Sequence, residues 1–594
     1  MEGGFVDEGQ VVTIKEDPAL GLSPREKSEI LAAILLALFL GALDQTIVGT
    51  ALPKIVTDLG GNELYTWVVT IYLLTSTITV PFYGKLSDIY GRRPLLMIGV
   101  SLFLVGSALS GLSQNMAQLI LFRGIQGLGA GALFPISLAV IGDLFSPAER
   151  GKYQGLFGAV FGIAFIIGPA LGGFLTDNVS WHAVFYVNIP FGIVSLYIIW
   201  RHLPTIKREG VSRAFDYLGA AVFTVGISFL LVGLTNKIGA DWTDPTVGGF
   251  IGLGLILSAI FVVIESRTAE AIVPIDLWRD RTYAASILST FFVSFGFFGA
   301  IIFLPRFFQV VRGDSATASG YELFPLLIGL IGSSIISGFI VSRTGRYKVL
   351  VITGLVIMGI GVTLMTQITA TMNDQLLWLY MFITGVGIGP TLSVFTIIIQ
   401  NAVPFQRLGV ATSNLTFFRQ IGGSVGLAVA GTAFSQALTN TIPSQVGPVF
   451  AEIKAAAPPQ FQGQFDQLQS GGLPNLDINN LTGVGQSFGK AIVDAIVAAV
   501  PPEAQTAVQS LFAPFIGQLD AAFHNAFALA IGQTFEIGVV TTVIAVVIAL
   551  FMKDIPLRRT VGAEAPAPAA GPASEPVGKA PEPVLAPAVE SGAD

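Results

Sequence analysis

Long apolar runs alternate with short polar stretches along most of the chain, at about residues 29–51, 66–86, 94–113, 117–142, 154–175, 185–203, 216–236, 248–265, 284–306, 318–341, 349–368, 376–398, 409–436 and 527–552. Each run is close to or above the roughly 20 residues that an α-helix needs to cross the hydrocarbon of a bilayer. The runs are continuous and rich in Gly, as closely packed membrane helices require, whereas barrel strands would alternate in short segments. The pattern predicts an all-α polytopic membrane protein of about 14 transmembrane helices. A polar stretch with Glu16, Asp17, Arg25, Glu26, Lys27 and Glu29 precedes the first run and lacks the basic region and cleavage site of a signal peptide, so that run is expected to stay as a span.

Orientation follows from Lys and Arg in the loops. With the N-terminus in the cytoplasm, 23 of the 31 basic residues fall on that side, which places both termini there and supports an even number of spans. The expected location is the plasma (inner) membrane. Similarity at a fixed offset then divides the chain. Gly84-Lys-Leu-Ser-Asp88-Ile-Tyr-Gly91-Arg92 after span 2 is echoed by Gly338-Phe-Ile-Val-Ser342-Arg-Thr-Gly345-Arg346 after span 10, and Gly127, Gly129 and Gly131 by Gly385, Gly387 and Gly389. Such internal repeats are what duplicated transporter halves leave behind. The expected organisation is a cytoplasmic segment (1–28), a six-helix half (29–203), two inserted linker helices (216–265), a second six-helix half (284–436 with 527–552), an extracytoplasmic insert (437–525) and a disordered cytoplasmic tail (561–594). The tail is mostly Ala, Pro, Gly and Glu and cannot bury a core. The insert is expected to lie on the outer face, because its apolar stretches are short and interrupted by Pro443, Pro458, Pro459, Pro501 and Pro502.

Composition narrows the function. Only 12% of residues are charged and mean hydropathy is +0.73, so the bilayer rather than water solvates most of the apolar surface. The absence of Cys excludes disulfides and thiol catalysis, and three isolated His leave little for a metal centre. No metal site or cofactor is expected, and an enzyme is not. A net charge of −7 without a basic stripe argues against nucleic acid as a partner.

Ionisable side chains inside spans cost several kcal/mol unless paired or hydrated, so each marks a functional position. Asp44 in span 1 and Arg123 in span 4 lie at equal depth, about seven residues from the same end of their spans, which makes pairing feasible. A carboxylate there has its pKa raised by desolvation and lowered by the cation, the balance a reversible proton site needs; the competing reading is a purely structural ion pair. Glu536 in span 14 is the weaker acidic candidate. Gln126 shares a face with Arg123, and Arg419 with Gln420 sits near the middle of span 13, where its charge needs water, a partner or a substrate anion. These three are expected to line a substrate cavity. In span 5, Gly168, Pro169, Gly172 and Gly173 predict close packing and a kink. At the cytoplasmic mouth, Gly84, Asp88, Gly91, Arg92, Arg93 and Arg150 are expected to form charge pairs that make and break as two halves close and open.

These segments resemble the major facilitator superfamily, and more closely its fourteen-span drug:proton antiporter family of multidrug efflux proteins. Gly84-Lys-Leu-Ser-Asp88-Ile-Tyr-Gly91-Arg92-Arg93 is similar to the superfamily's loop signature, whose Asp and Arg form the cytoplasmic gate. Leu43-Asp44-Gln-Thr46-Ile-Val-Gly49-Thr-Ala51-Leu52-Pro53 resembles the family's span 1 motif, with Gly49 where Asn is usual. Leu121-Phe-Arg123-Gly-Ile-Gln126-Gly127-Leu-Gly129 resembles the span 4 motif, whose Arg is implicated in proton transfer, and Gly168-Pro169-Ala-Leu-Gly172-Gly173 the antiporter signature of span 5, with Ala164 in place of one of its glycines. Trp181-His-Ala-Val-Phe185-Tyr-Val-Asn188-Ile-Pro190-Phe-Gly192 is similar to the family's entry into span 6, while the second loop copy carries Ser342 where an Asp might stand. The resemblance implies a major facilitator fold and a monomer that alternates access while exchanging protons for a small hydrophobic or amphiphilic drug-like compound. The length of the 437–525 insert raises an alternative, export of a lipid or lipid-linked molecule; a non-transporting receptor or scaffold is a third class.

Overall fold

The computed structural model describes residues 22–60, 64–205, 214–237, 241–268, 270–456, 490, 502–554 and 557. The expected tail at 561–594, the 491–500 stretch of the insert and the first 21 residues of the N-terminal segment lie outside the described residues. Among those described, 14 helices are long and apolar enough to cross a membrane, and there is no strand. Their main α-helical segments are α1 (Pro24–Leu59), α2 (Tyr65–Tyr90), α3 (Arg92–Ser110), α4 (Met116–Leu144), α5 (Pro147–Asn178), α6 (Asn188–His202), α7 (Tyr217–Asn236), α8 (Phe250–Glu265), α9 (Arg281–Val311), α10 (Phe324–Thr344), α11 (Tyr347–Met365), α12 (Asp374–Ala402), α13 (Leu408–Ala456) and α14 (Pro502–Leu550); the spans of α6 and α8 begin earlier, at Ala183 and Pro245.

Local chemistry explains where the helices begin. Ser23 and Glu26 form a capping box on α1 with Pro24 in the first turn, and Ser146, Pro147 and Glu149 do the same for α5, satisfying backbone N–H groups that have no partner inside the helix. The turns after α2 and α10 use Gly91 (φ 96°) and Gly345 (φ 69°), a backbone region that disfavours other residues. The two copies of the repeat thus make corresponding left-handed turns.

Helices α1–α6 share cores around Ile34, Val100, Leu133 and Ile136, and around Leu43, Ile47 and Phe185. Helices α9–α14 share another around Phe307, Leu326, Met358 and Phe395. The two sets meet along two seams. In one, α5 lies against α10 so closely that a Cβ on Gly151 would stand 2.1 Å from the Gly338 carbonyl oxygen. In the other, α2 meets α13 with Gly84 against Ser413. The inserted pair α7–α8 covers this second seam, where Phe223 contacts Phe82 of α2 at 5.7 Å and Phe417 of α13 at 5.2 Å between ring centroids. The end of the molecule holding the 84–93 turn is called the loop end below, and the opposite one the hairpin end.

The flanks of the expected insert differ from the sequence reading. α13 and α14 each run for 49 residues, so each is about 73 Å long at 1.5 Å per residue, far more than about 30 Å of hydrocarbon requires. Residues 437–456 and 502–525 are therefore helical continuations of the last two spans, paired as a hairpin. Pro443 and Pro448 sit inside α13 rather than ending it. Each removes one backbone hydrogen bond, but the paired helix offsets the loss by burying Ile442, Val446 and Phe450 with Leu519, Ala522 and Phe523. Thr441 Oγ1 also donates to the Ala526 carbonyl at 3.1 Å.

Candidate functional site

The first polar cluster lies inside the α1–α6 set. Arg123 of α4 donates from Nη1 to Asp44 Oδ2 of α1 at 2.6 Å, and both side chains are buried. Asp44 Oδ1 also accepts from Gln126 Nε2 at 2.7 Å and from Asn188 Nδ2 of α6 at 3.2 Å. Arg123 Nη1 donates to Gln126 Oε1 at 2.8 Å, and the guanidinium lies 4.2 Å from the ring centroid of Tyr72 on α2. Asn188 is held in turn by Ser107 Oγ of α3 at 3.1 Å, and that hydroxyl donates to the Phe185 carbonyl. Five helices thus supply one network in which the negative charge has one cationic and two amide partners. Burying two charges is tolerated only with such complete partnering, because the desolvation cost rivals their attraction. Protonating Asp44 would dissolve this balance and leave Arg123 with weaker partners. The structure unites Asp44 and Arg123 as the sequence predicts, but it moves Gln126 from a cavity wall into the ion network. Asn188 was visible only as part of a motif; an Asn at the start of a helix reads as a capping residue.

The glycines of α5 bring α1 against this network. A Cβ on Gly168 would lie 1.9 Å from Thr46 Oγ1, and one on Gly172 2.1 Å from Thr50 Oγ1 and 2.7 Å from the Ile47 carbonyl oxygen. Thr46 Oγ1 donates across to the Ala164 carbonyl at 3.1 Å. Pro169 and Gly173 face the other set instead, near Gly320 and Thr317.

The second cluster, at the loop end, joins the two sets of helices. Arg92 Nη2 pairs with Asp88 at 2.6 Å and its Nε with Asp143 at 3.0 Å, all three buried. The Asp88 carboxylate also accepts from the backbone N–H groups of Gly409 at 3.1 Å and Val410 at 2.9 Å, at the start of α13. A helix N-terminus presents unpaired donors and partial positive charge, so a carboxylate from one set closes on the other without any side-chain partner there. Gly409 is required for the approach, since its Cβ would stand 2.5 Å from Arg92 Nη1 and 2.7 Å from Asp88 Oδ1. Gln154 Nε2 donates to Gln400 Oε1 at 2.9 Å, and Gln400 Nε2 to the Leu138 carbonyl at 3.0 Å, a second bridge between the sets. Outside them the 266–280 connection adds Lys85 with Glu270 at 2.8 Å and Arg407 with Asp276, bordering a polar hollow of about 430 Å³.

Two of the expected loop-end residues take other places. Arg93 is half-buried and donates to the Trp200 carbonyl of α6 at 2.6 Å, because adjacent residues of a helix point about 100° apart. Arg150 caps the end of α4 by donating to the Phe145 carbonyl at 2.9 Å and to that of Gly142. Asp143, Gln154 and Gln400 were not foreseen. Asp143 gives the one readable signal, an acid closing an apolar span immediately before a Ser-Pro helix start. In the second loop copy Ser342 donates to the Phe339 carbonyl of its own helix at 2.8 Å and Arg343 lies over the Phe339 ring, so no comparable acid closes that turn.

The third position is Arg419, in α13 within the α9–α14 set. It borders a narrow cavity of about 10 Å³ with Thr290, Ser294 and Phe297 of α9 and Thr391 and Phe395 of α12. Its Nη2 is buried without a hydrogen-bond partner, as is Thr290 Oγ1. Gln420 does not share this cavity; its Oε1 is buried elsewhere and unpartnered. Glu536 is on the exposed side of α14, and the structure does not bring it to Asp44. Hydropathy alone could not separate these positions, because the direction of a side chain from a span depends on packing.

Comparison with known proteins agrees with this architecture. The profile of the Major Facilitator Superfamily matches residues 34–427. The multidrug transporter protein MdtP of Bacillus subtilis is 39% identical over 456 residues, covering 76% of this chain and 84% of its own. The uncharacterized MFS-type transporter Rv1877 of Mycobacterium tuberculosis is 35% identical over 540 residues, covering 90% and 71%. The crystal structure of the human organic anion transporter MFSD10 superposes with a TM-score of 0.52 at 18% identity over 69% of this chain and 94% of that one, a likeness of fold. With a superfamily profile across two thirds of its length and a multidrug transporter 39% identical to it, the chain belongs to the major facilitator superfamily and is a membrane transporter of its multidrug-efflux family, not an enzyme.

Proposed function

We propose that this protein exports small hydrophobic or amphiphilic compounds across the cell membrane in exchange for protons, by alternating access, with both termini in the cytoplasm and the loop end on that side. The observation that carries the reading is the buried Asp44–Arg123 pair, supported by Gln126 and Asn188. The pair is matched in this arrangement, and drawing Arg123 away would leave the Asp44 carboxylate without its cation. The Asp88 closure onto α13 supports the conformational half of the cycle. With the loop end shut by hydrogen bonds and close glycine contacts, this arrangement faces the outer side or is occluded, and breaking the Asp88 contacts opens the cytoplasmic side. The mechanism needs no cofactor beyond the proton gradient, and one chain holds all the named residues.

Reconstitution into liposomes with an imposed pH gradient tests the reading, using a panel of drug-like amphiphiles. Substrate accumulation should follow the gradient and collapse on addition of a protonophore. Accumulation indifferent to both would remove the proton from the mechanism.

A second reading, movement of a lipid or lipid-linked molecule, is favoured by the α13–α14 hairpin. Its 20 residues past the expected end of α13 extend about 30 Å beyond the bilayer with an apolar interior. A shortened hairpin that spares proton-coupled dye export but stops lipid movement would favour that reading, and one that spares both would count against it.

A further inference from the structure

We propose that Arg419 binds the anionic group, a carboxylate or comparable oxyanion, of the compound that the protein transports. The proposal deepens the function given above and rests on it. Arg419 lies ten residues along α13 from Gly409, so about 15 Å from the loop-end closure and within the depth of the membrane. A guanidinium at such a depth is expensive without a counter-charge. Arg123 and Arg92 have theirs in Asp44, Asp88 and Asp143. Arg419 has none among the described residues: no acid borders its cavity, and its Nη2 has no hydrogen-bond partner.

The surroundings fit an anion attached to an apolar body. Thr290, Ser294 and Thr391 bring hydroxyls to the cavity, and Thr290 Oγ1 is free to donate. Phe297 and Phe395 form apolar walls. In the closed arrangement the cavity has room for about one water, less than a carboxylate, so the head of a substrate also needs the helices to move apart. The body must then occupy space that opens when the two sets of helices separate. Because α13 also carries the N–H groups that hold Asp88, an occupant at Arg419 acts directly on the helix that closes the loop end. A permanent cation here also disfavours lipophilic cations, a class that a purely apolar pocket would accept.

The full-length protein in nanodiscs is titrated with dansylundecanoic acid and with its methyl ester, which differ in charge but hardly in apolar surface. The wild type should bind the acid about tenfold or more tightly than the ester, the size expected for a charge-assisted hydrogen bond. Arg419→Gln should bring the two within about twofold, and Arg419→Lys should keep part of the preference. Equal binding of acid and ester by the wild type, or a preference that survives in Arg419→Gln, overturns the proposal. So does loss of the preference when chloride replaces gluconate at constant ionic strength, since the site would then serve a small solvent anion. Binding of the ester by each variant shows that it is folded. Asp44→Asn should retain the preference, so a failure of proton coupling with intact acid selectivity leaves this inference standing, and the reverse result leaves the proton mechanism standing.

Discussion

Arg123 and Arg419 are both membrane-embedded guanidiniums on long helices, yet the chain surrounds them in opposite ways. Arg123 is met by the Asp44 carboxylate, the Gln126 amide and the aromatic face of Tyr72. Arg419 borders a small cavity lined by three hydroxyl-bearing residues and two aromatic ones, and its Nη2 has no hydrogen-bond partner. In the first network the two charges have each other and the Gln126 and Asn188 amides without a ligand. The second is incomplete until something negative or water enters. On the proposed reading, charge in the bilayer serves two purposes in one fold, and the presence or absence of an internal partner separates them.

Substituting each arginine by an apolar residue of similar length breaks the comparison most sharply. Arg123→Met orphans the buried Asp44 carboxylate and should lower stability by about 3–5 kcal/mol, while the double variant Arg123→Met/Asp44→Leu should recover much of the loss. Arg419→Met orphans no acid, so its melting temperature should equal or exceed that of the wild type. Thermal melts in detergent check both; a large loss in Arg419→Met would mean that a counter-charge exists.

The loop-end closure comes next in size. Gly409→Ala and Asp88→Asn attack the same contact from opposite sides, one by inserting a Cβ at 2.5 Å from Arg92 Nη1 and the other by removing the charge that faces the α13 N-terminus. Each should cost the closed arrangement about 1–3 kcal/mol, enough to move a large fraction of molecules towards loop-end-open. Distances between spin labels on the 84–93 turn and on the 405–407 segment should lengthen in both variants. Unchanged distributions would reduce the cluster to a static ion pair.

A cost of similar size, about 1–3 kcal/mol for overpacking, is expected at Gly172, where Ala must displace Thr50 or the α1 backbone. Gly172→Ala combined with Thr50→Ala should recover part of that loss, because the nearest clash is with the Thr50 hydroxyl. Failure of the pair to recover would place the constraint on the Ile47 carbonyl instead. Glu536→Gln should be the mildest change. On the exposed side of α14 it should leave both melting temperature and gradient-driven transport indistinguishable from wild type.

The sequence made a charge in an apolar run conspicuous, so Asp44, Arg123 and Arg419 were legible as candidates before any geometry. The Gly-rich turns were equally legible, because Gly91 and Gly345 stand at the same offset as Gly84 and Gly338 in the loop motif. What was not legible depends on direction or on groups without a sequence signature. The donors that hold Asp88 are backbone N–H groups of residues 409 and 410, which any residue but Pro would supply. Arg92 and Arg93 are alike in sequence, but one is buried between two carboxylates and the other turns to the surface of α6. Gln154 and Gln400 read as unremarkable polar residues, since their bond spans 246 positions. Pro443 suggested interruption, because the packing that offsets its missing hydrogen bond comes from α14, far along the chain.

The central claim is that Asp44 carries the proton and Arg419 does not, and transport in proteoliposomes with and without a pH gradient tests it most directly. Asp44→Asn should lose gradient-driven accumulation yet retain exchange of labelled for unlabelled substrate at equal concentrations on both sides. Arg419→Gln should keep the response to the gradient for any uncharged amphiphile that it still moves. Accumulation of substrate against its gradient by Asp44→Asn would contradict the account, since the proton would then travel by another group.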